Sequence, residues 1–446
     1  MKGPSIRLVT RRQFLGMGLV AGSAAAAGGA ALVNLLSGTA SRASAVPSAA
    51  IALGSATPGP ASTPPPLSTW LTAPRIRPVR DLAARRLVVI DMAGGTDGLS
   101  MVPPIDDARY RQLRPRTALD PASVLAITPG VGLHPGLPGL YAAGAAIVQG
   151  VGITKPDLSH FEMLRRWWSG DVDSVHQTLT GFLGRLADHV GDPTAAAAGV
   201  SLGYGPSPAL ISERVVTLSM DPYGDGSFPA PAGLDAATAW TAAWREMAEY
   251  DPSEPVPFCS ARNGAAYAYR FSQLAGGLPA AATGYPETEL GAQLLLAARM
   301  LAQDNGIRIV HVPFHGDFDS HEDHLARHAA LMTELDDALA AFRADLAARG
   351  IADRVLIATT SEFGRRVPDN ASNGLDHGAA SFAFLAGPVA AGLYGTYPSL
   401  ATLDADKDLV ATVSMLDYYA TIAESWFGVP AADVLAGHPS PIAGII

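Results

Sequence analysis

Residues 87–98 read LVVIDMAGGTDG, in which a short apolar run ends abruptly in a polar, glycine-rich segment. The β-branched content of Leu87–Ile90 predicts a buried strand. Similar apolar runs predict strands at 145–151, 307–312, 355–359 and 382–385, and helical spacing predicts helices at 138–143, 159–168, 288–303, 322–348 and 414–427. The second helix opens with a capping box formed by Ser159 and Glu162. Strands separated by helices predict parallel pairing and a layered α/β fold, with a mostly parallel sheet and helices on both faces.

The composition predicts a folded protein that does not bind nucleic acid. Its 446 residues are 48% hydrophobic, which excludes a disordered or fibrous chain. The single cysteine, Cys259, excludes an internal disulfide and a cage of several thiolates around zinc or an iron–sulfur cluster. Asp and Glu number 41 against 31 Lys and Arg, and this negative balance disfavours nucleic acid and anionic lipid as partners.

The N-terminal segment has the features of an export signal. Residues 10–15 read TRRQFL, an Ala/Gly-rich apolar stretch follows, and residues 43–45 form an A-x-A site. Residues 1–45 therefore resemble a twin-arginine (Tat) signal peptide that engages the Tat export machinery, with a retained membrane anchor as the alternative. Residues 46–80 are rich in Pro, Ser and Ala and predict a linker, which leaves 81–446 as one domain. A cleaved signal leaves no stable membrane span and predicts a periplasmic, cell-surface or extracellular protein.

Polar segments follow the predicted strands, and the carboxyl ends of parallel strands meet at one edge of a sheet. These segments contain the carboxylates Asp97, Asp319, Glu362 and Asp376. Two carboxylates about 4 Å apart repel by about 4 kcal/mol at an effective dielectric near 20, so a converging group needs a cation or shared protons. Interleaved histidines and carboxylates suit zinc, manganese or iron, whereas carboxylates alone suit calcium or magnesium. The sequence therefore predicts a divalent metal site at this edge.

Five ordered motifs carry a resemblance to a known family. They are GGTDG (94–98), LSHFE (158–162), DFDSH (317–321), SEFGRR (361–366) and LDHG (375–378), within a similarity spanning about 85 to 430. They resemble the Tat-exported, sulfatase-related domain-of-unknown-function (1501) family. The resemblance implies an alkaline-phosphatase-like fold, in which two metal ions lie at the strand ends and a nucleophile caps a helix.

The resemblance also implies roles for individual residues. Asp97 corresponds to the ligand after the first strand and Ser159 to the nucleophile, while Asp317 and His321 resemble one ligand pair. Asp319 is the carboxylate more typical of the closer family, and His377 resembles the last histidine ligand. With the strand-end carboxylates, the candidate metal ligands are Asp97, Asp317, Asp319, His321, Glu362, Asp376 and His377.

Three positions depart from the pattern of these relatives. Phe363 stands where the superfamily has the histidine of an Asp-His pair, which puts a two-metal site in doubt. Leu158 stands where relatives usually carry arginine, and Asp317 where they usually carry glycine. One cation is therefore missing and one carboxylate is added.

The remaining candidate catalytic residues have alternative roles. Ser159 is either a nucleophile in the field of a helix N-terminus or a plain cap with Glu162. His160 is a metal ligand, a base or a surface residue. Arg365 either contacts phosphate or sulfate oxygens or pairs with Glu362. Gly94-Gly95 does not continue as G-x-G-x-x-G, so no nucleotide or flavin cofactor is expected.

These features favour an exported metal-dependent hydrolase of phosphate or sulfate esters. A small anionic ester or an envelope glycan is then the expected partner. The alternative is a cell-surface binding or scaffold protein whose catalytic site has decayed, which Phe363 and the long linker favour. A metal-free serine hydrolase that uses Ser159 with a distant histidine is a third hypothesis.

Overall fold

The computed structural model describes residues 75–173, 178–224 and 256–446, together with positions 242 and 246. The predicted signal peptide, and the linker up to residue 74, lie outside the described residues. The strands are β1 Arg86–Met92, β2 Leu125–Thr128, β3 Val131–Leu133, β4 Ala146–Gly152, β5 Gly199–Leu202, β6 Thr217–Met220, β7 Ile309–Phe314, β8 Val355–Thr360, β9 Gly364–Arg365, β10 His377–Gly378, β11 Ala380–Ala386, β12 Gly392–Tyr394 and β13 Val413–Ser414.

Helices connect most of these strands. The α-helices are α1 Gly98–Met101, α2 Ala108–Leu113, α3 Pro138–Ala143, α4 His160–Ser169, α5 Phe182–Val190, α6 Val256–Gly276, α7 Glu289–Leu301, α8 His324–Ala348, α9 Met415–Ala420 and α10 Ala431–Val434. A π-helix, Thr421–Phe427, continues α9, and 3₁₀ turns lie at Leu82–Ala84, Pro208–Leu210 and Ala352–Arg354.

Among the described residues, nine strands form one sheet in the order β12-β4-β11-β8-β1-β7-β5-β6, with β13 also paired to β4. All neighbouring pairs are parallel except those of β11, which is antiparallel to β4 and to β8. The carboxyl ends of β1, β4, β7 and β8 therefore share one edge with the amino end of β11. This common edge, called the carboxyl edge below, carries the polar motifs.

The two faces of β1 enter different hydrophobic cores because successive side chains point to opposite sides of a sheet. Val88 and Ile90 pack in a core that includes Leu294 of α7 and Leu335 of α8. Leu87 and Val89 pack in a core with side chains of α4, α5 and α9. Helices thus cover both faces, which confirms the predicted α/β class with a layered, mostly parallel sheet.

Several predicted boundaries were wrong by one to two residues. Strand β7 begins at Ile309 rather than Ile307. Helix α8 was predicted to begin at residue 322 but begins at His324. Asp323 has φ 47°, a left-handed conformation that is incompatible with a right-handed α-helix. The predicted helix 414–427 begins at Met415 and reaches Phe427 as predicted, but its second half, Thr421–Phe427, is a π-helix.

One antiparallel strand and one failed cap mark the local departures. The strand predicted at 382–385 is part of β11 and pairs antiparallel with β4 and β8, so it is the exception in the predicted mostly parallel sheet. The capping box does not form, because the Glu162 carboxylate instead accepts from Arg165 and Arg166. Within the described chain, the Ser159 side chain accepts no capping hydrogen bond, and its backbone N–H donates to Asp157.

Candidate metal centre

Three histidines surround the Asp319 carboxylate at the carboxyl edge. The Nε2 atoms of His321 and His377 each lie 3.1 Å from Asp319 Oδ1 and 3.2 Å from each other. The Nε2 atom of His160 lies 3.6 Å from Asp319 Oδ2. Ligand atoms of His160, Asp319 and His377 all lie within 4.8 Å of one another, an arrangement that could hold a metal ion.

The second nitrogen of each histidine has its own acceptor. His160 Nδ1 lies 2.6 Å from Glu362 Oε1, and His321 Nδ1 lies 3.3 Å from Asp376 Oδ1. His377 Nδ1 lies 3.0 Å from the Leu158 carbonyl oxygen, which can only accept, so this nitrogen carries the proton. All three rings thus have a hydrogen-bond acceptor at Nδ1 and direct Nε2 toward Asp319. Metal-ligating histidines are commonly oriented in this way by a carboxylate or a carbonyl behind the ring.

The titration behaviour of these groups follows from their surroundings. Burial raises the pKa of Asp319, but the hydrogen bond and charge of Arg365, with His321 and His377, bring it below its usual range. Burial lowers the pKa of His377, which keeps the ring neutral and able to bind through Nε2. Burial raises the pKa of Glu362, and donation from Gly94 and His160 opposes that rise.

Backbone conformation places two of these side chains. His160 is the first residue of α4, so its ring projects from the helix start that follows the β4 loop. The preceding Leu158 has φ 61°, a left-handed conformation that costs a non-glycine residue roughly 1–2 kcal/mol. Its carbonyl accepts from His377 in this conformation. Such strain is typical of sites where function requires a particular geometry.

Arg365 is buried and holds the loops of the site together. Its Nε donates to the Gly95 carbonyl at 2.8 Å, and its Nη2 donates to the Phe318 carbonyl at 3.0 Å and to Asp319 Oδ1 at 2.7 Å. Its side chain has no exposed surface, and the guanidinium does not pair with Glu362 among the described contacts. The sequence hypotheses of an anion-binding arginine or a Glu362 partner are therefore replaced by a role in positioning Asp319.

The structure does not bring Asp97 into this group. Its carboxylate is buried, accepts from Arg114 Nη2 at 2.8 Å and caps α1 through the Ser100 N–H. Burial raises the pKa of Asp97, but the Arg114 charge and a hydrogen bond with His324 hold it well below its usual range. The predicted first-strand ligand thus occupies a buried ion pair.

The other predicted residues lie at or beyond the margin of the group. Asp317 is half exposed and pairs with the Arg327 guanidinium. Asp376 supports His321 from behind, and Glu362 does the same for His160, rather than facing Asp319. Ser159 immediately precedes His160 at the start of α4.

Sequence reasoning missed the residue that supports Asp376. Asn370 Nδ2 donates to Asp376 Oδ1 at 3.1 Å and to the His321 carbonyl at 2.9 Å. Its Oδ1 accepts from the backbone of Ser372 and Gly374, which fixes the loop. Asn370 lies in a turn-rich segment, PDNASNG (368–374), where asparagine is expected for local reasons, so the sequence held no separate signal for this role.

The family described as "Protein of unknown function (DUF1501)" matches residues 272–432. The family predicted from the motifs is confirmed over this part of the chain. The match includes Asp319, His321, Glu362 and His377, whereas His160 lies before it. No curated protein matches the chain.

Solved structures of low identity share parts of the architecture. The lipoteichoic acid synthase LtaP from Listeria monocytogenes is 9% identical with a TM-score of 0.34, over 79% of this chain and 74% of that one. The C-terminal periplasmic domain of EcEptC from Escherichia coli, in complex with Zn, is 10% identical with a TM-score of 0.35, over 79% and 85%. A protein of the alkaline phosphatase superfamily from Vibrio parahaemolyticus is 9% identical with a TM-score of 0.33, over 80% and 69%.

None of the helices in the described ranges combines the length and the hydropathy needed to span a bilayer.

Proposed function

We propose that this protein is a metal-dependent hydrolase of phosphate or sulfate esters. The observation that supports the proposal most is the convergence of three histidine Nε2 atoms on the Asp319 carboxylate. Each ring is held by an acceptor at Nδ1, so the donor atoms are already oriented before an ion binds. A group organised in this way has no evident use in packing, since His321 and Asp319 are both more than 40% exposed.

The donor set favours zinc among the candidate ions. Three imidazole nitrogens and one carboxylate oxygen suit zinc, iron or manganese, whereas calcium and magnesium prefer oxygen ligands. A divalent ion bound here would polarise an ester oxygen and lower the pKa of a water molecule toward about 7. The residues proposed to hold it are His160, Asp319, His321 and His377.

The surrounding residues have separate tasks in this proposal. Glu362 and Asp376 keep the proton of their histidines on Nδ1, and Arg365 holds Asp319 by a 2.7 Å hydrogen bond. Ser159 is the candidate nucleophile, with a water molecule as the alternative, because it directly precedes His160 at the start of α4.

Phe363 supports a site for one ion rather than two. Its ring packs 5.0 Å from the His160 ring and 4.5 Å from the His377 ring, measured between centroids. An apolar ring in this position supplies no ligand and excludes water from one side of the histidines. Export by the Tat route, with action outside the cytoplasmic membrane on an anionic ester or an envelope glycan, belongs to the same proposal and is supported by residues 1–45.

Metal analysis and turnover assays test the proposal. We expect the purified protein to bind zinc with one ion per chain and to hydrolyse aryl phosphates or sulfates, and Asp319→Ala to lose both properties. Asp353→Ala is the matched control, because Asp353 is an exposed aspartate just before β8, at the opposite edge of the sheet. Zinc-loaded protein without activity on any ester would overturn the hydrolase proposal. Retained binding of an envelope glycan by Asp319→Ala would then favour the scaffold alternative.

A further inference from the structure

A second pocket lies at the amino edge of the sheet, opposite the candidate metal centre. Its volume is about 460 Å³, which is within the usual range of small-molecule sites. The amino ends of β1 and β8 and the C-terminal end of α7 enclose it. The charged side chains that line it are those of Asp81, Arg86, Asp304 and Arg354.

Arg86 is the buried cation of this pocket, and its side chain is only 10% exposed. Its Nη1 donates to the Ala83 and Arg85 carbonyls at 3.1 and 3.3 Å. Within the described chain, its Nε is buried without a hydrogen-bond partner, and its Nη2 lies 3.8 Å from Asp304 Oδ1, beyond hydrogen-bond distance. Buried N–H groups normally have acceptors, so this guanidinium is incompletely paired by the protein.

Arg354 adds a second guanidinium to the same pocket. Its side chain is 48% exposed, and its Nε lies 3.8 Å from Asp353 Oδ1. Burial lowers the pKa of Arg86, Asp304 opposes this change, and the positive charge of Arg354 adds to it. The two guanidiniums are thus close enough to repel each other, and an anion bound to both would relieve that repulsion.

The acids of the pocket balance its arginines in number but leave the donors of Arg86 free. Asp81 Oδ1 accepts from the Ala83 N–H and caps the 3₁₀ turn Leu82–Ala84. Asp304 is fully exposed, so water screens its attraction for Arg86. The C-terminal end of α7 adds a partial negative charge of roughly 0.5. The pocket therefore offers a ligand incompletely paired N–H donors rather than a net positive charge.

We propose that this pocket binds an oxyanion through the guanidiniums of Arg86 and Arg354. Arginine donates in pairs to carboxylate, sulfate and phosphate groups, and these groups supply the acceptors that Arg86 lacks. The bound anion takes the place of Asp304 beside Arg86 Nη2. This site is separate from the candidate metal centre and does not depend on the proposed hydrolase function.

Calorimetric titration of the full chain tests the proposal. The titrants are inorganic phosphate, inorganic sulfate and succinate, with a chelator present so that the carboxyl edge holds no metal ion. We expect saturable binding of at least one of them, with one anion per chain. The preference among the three distinguishes a tetrahedral phosphate or sulfate group from the carboxylate of an organic molecule.

Two arginine variants connect that binding to the pocket. Arg354→Gln should weaken it at least about fivefold, because one of the paired donors is lost. Arg109→Gln is the matched control and should bind as the wild type does, since Arg109 is an exposed arginine on α2 that lies 3.5 Å from Asp107. Arg86→Lys keeps the charge but loses the paired geometry, and should weaken binding by about tenfold.

An acid variant should change the affinity in the opposite direction. Asp304→Asn removes the carboxylate that competes for Arg86 Nη2, so we expect binding about threefold tighter or more. Partial unfolding could not produce such a gain. Absence of saturable binding for all three anions would overturn the proposal, as would binding of unchanged strength in both Arg354→Gln and Arg86→Lys.

Discussion

Glu362 is nearly completely buried, and its two oxygens have different partners. Oε1 accepts from His160 Nδ1 at 2.6 Å, and Oε2 accepts from the Gly94 N–H at 3.0 Å. Both contacts are to donors, so a carboxylate satisfies both whereas an amide can satisfy only one. The side chain therefore fixes the orientation of His160 without facing the group of donor atoms around Asp319.

Glu362→Gln should weaken zinc binding by about 10–100-fold, the usual effect of losing an outer partner of a metal-bound histidine. The physical reason is that the amide NH₂ must face either His160 Nδ1 or the Gly94 N–H. Competition with a chelating dye measures the affinity. Glu213→Gln, at an exposed position on the loop before β6, is the control and should bind zinc as the wild type does. An unchanged affinity in Glu362→Gln would contradict the role given to this residue.

Asp97 provides a second test at the residue scale, because it was predicted as a ligand and lies in a buried ion pair with Arg114. Asp97→Ala leaves the Arg114 charge buried without its partner, which typically costs about 3–5 kcal/mol of the free energy of unfolding. We expect this loss in urea unfolding, with zinc affinity kept in the folded fraction. A variant of normal stability that no longer binds zinc would instead show that Asp97 is a ligand.

The comparison of Asp97 with Asp319 shows what the sequence could and could not predict about the site. Both follow strands at the carboxyl edge, and strand-end position was the signal used for each. The difference arises from Arg114, which lies 17 positions after Asp97 and contacts it only because α2 packs over the loop. No pattern in the sequence reports such a partner, whereas His321 stands in the same short motif as Asp319, and His160 and His377 stand in two others.

At the scale of elements, the loop after β1 brings the backbone close to the Asp319 loop. Gly94 has φ 112°, and a Cβ atom on it would lie 2.7 Å from the Asp319 backbone nitrogen. Its N–H donates to Glu362, and its carbonyl accepts from Arg365. The glycine is required here for both its conformation and its close approach.

Gly94→Ala should therefore displace the Asp319 loop and lower zinc affinity at least about tenfold, with a loss of roughly 1–3 kcal/mol in unfolding free energy. Dye competition and urea unfolding measure the two effects. Gly205→Ala is the matched control, since Gly205 lies in the loop after β5 at the same edge and has open space around its Cβ position. Equal zinc affinity in both variants would show that the Gly94 contact is not required.

The elements themselves were predicted well where a buried apolar run determined them, as for β1 and β8, and α3 was correct at both ends. The direction of β11 was not predictable, because every residue of β11 is buried and its mostly apolar run resembles those of the parallel strands in the same sheet. The Ser159–Glu162 capping box failed because Arg165 and Arg166 compete for the same carboxylate on α4. Local motifs of this kind predict a contact only when no stronger partner lies within reach.

At the scale of the whole molecule, the reversed direction of β11 is what completes the site. Residues that follow β4, β7 and β8 reach the carboxyl edge at the ends of those strands. His377 precedes β11, so it reaches the same edge only because β11 runs the other way. One antiparallel strand in an otherwise parallel sheet thus brings His377 beside Asp319.

Three buried histidines also connect the site region to the stability of the whole domain. His134 packs against His328, and His328 against His324, with ring centroids 5.3 and 4.9 Å apart. His134 Nδ1 accepts from the Gly136 N–H at 2.9 Å, which requires the neutral ring. Burial lowers the pKa of His134 to about 4. Burial likewise lowers the pKa of His324 and of His328.

These groups predict acid sensitivity of the global unfolding free energy. Because the pKa of His134 is about 4 in the folded protein against 6.5 for an ordinary histidine, the unfolded chain binds more protons between these values. The contribution of neutral His134 to the free energy of unfolding is therefore complete above about pH 6.5. It falls by roughly 3 kcal/mol as the pH drops to about 4. His134→Asn keeps an acceptor for Gly136 but cannot titrate, so urea unfolding from pH 7 to 4 should show a shallower decline. The exposed His438→Asn should keep the wild-type slope, and the same slope in His134→Asn would contradict the prediction.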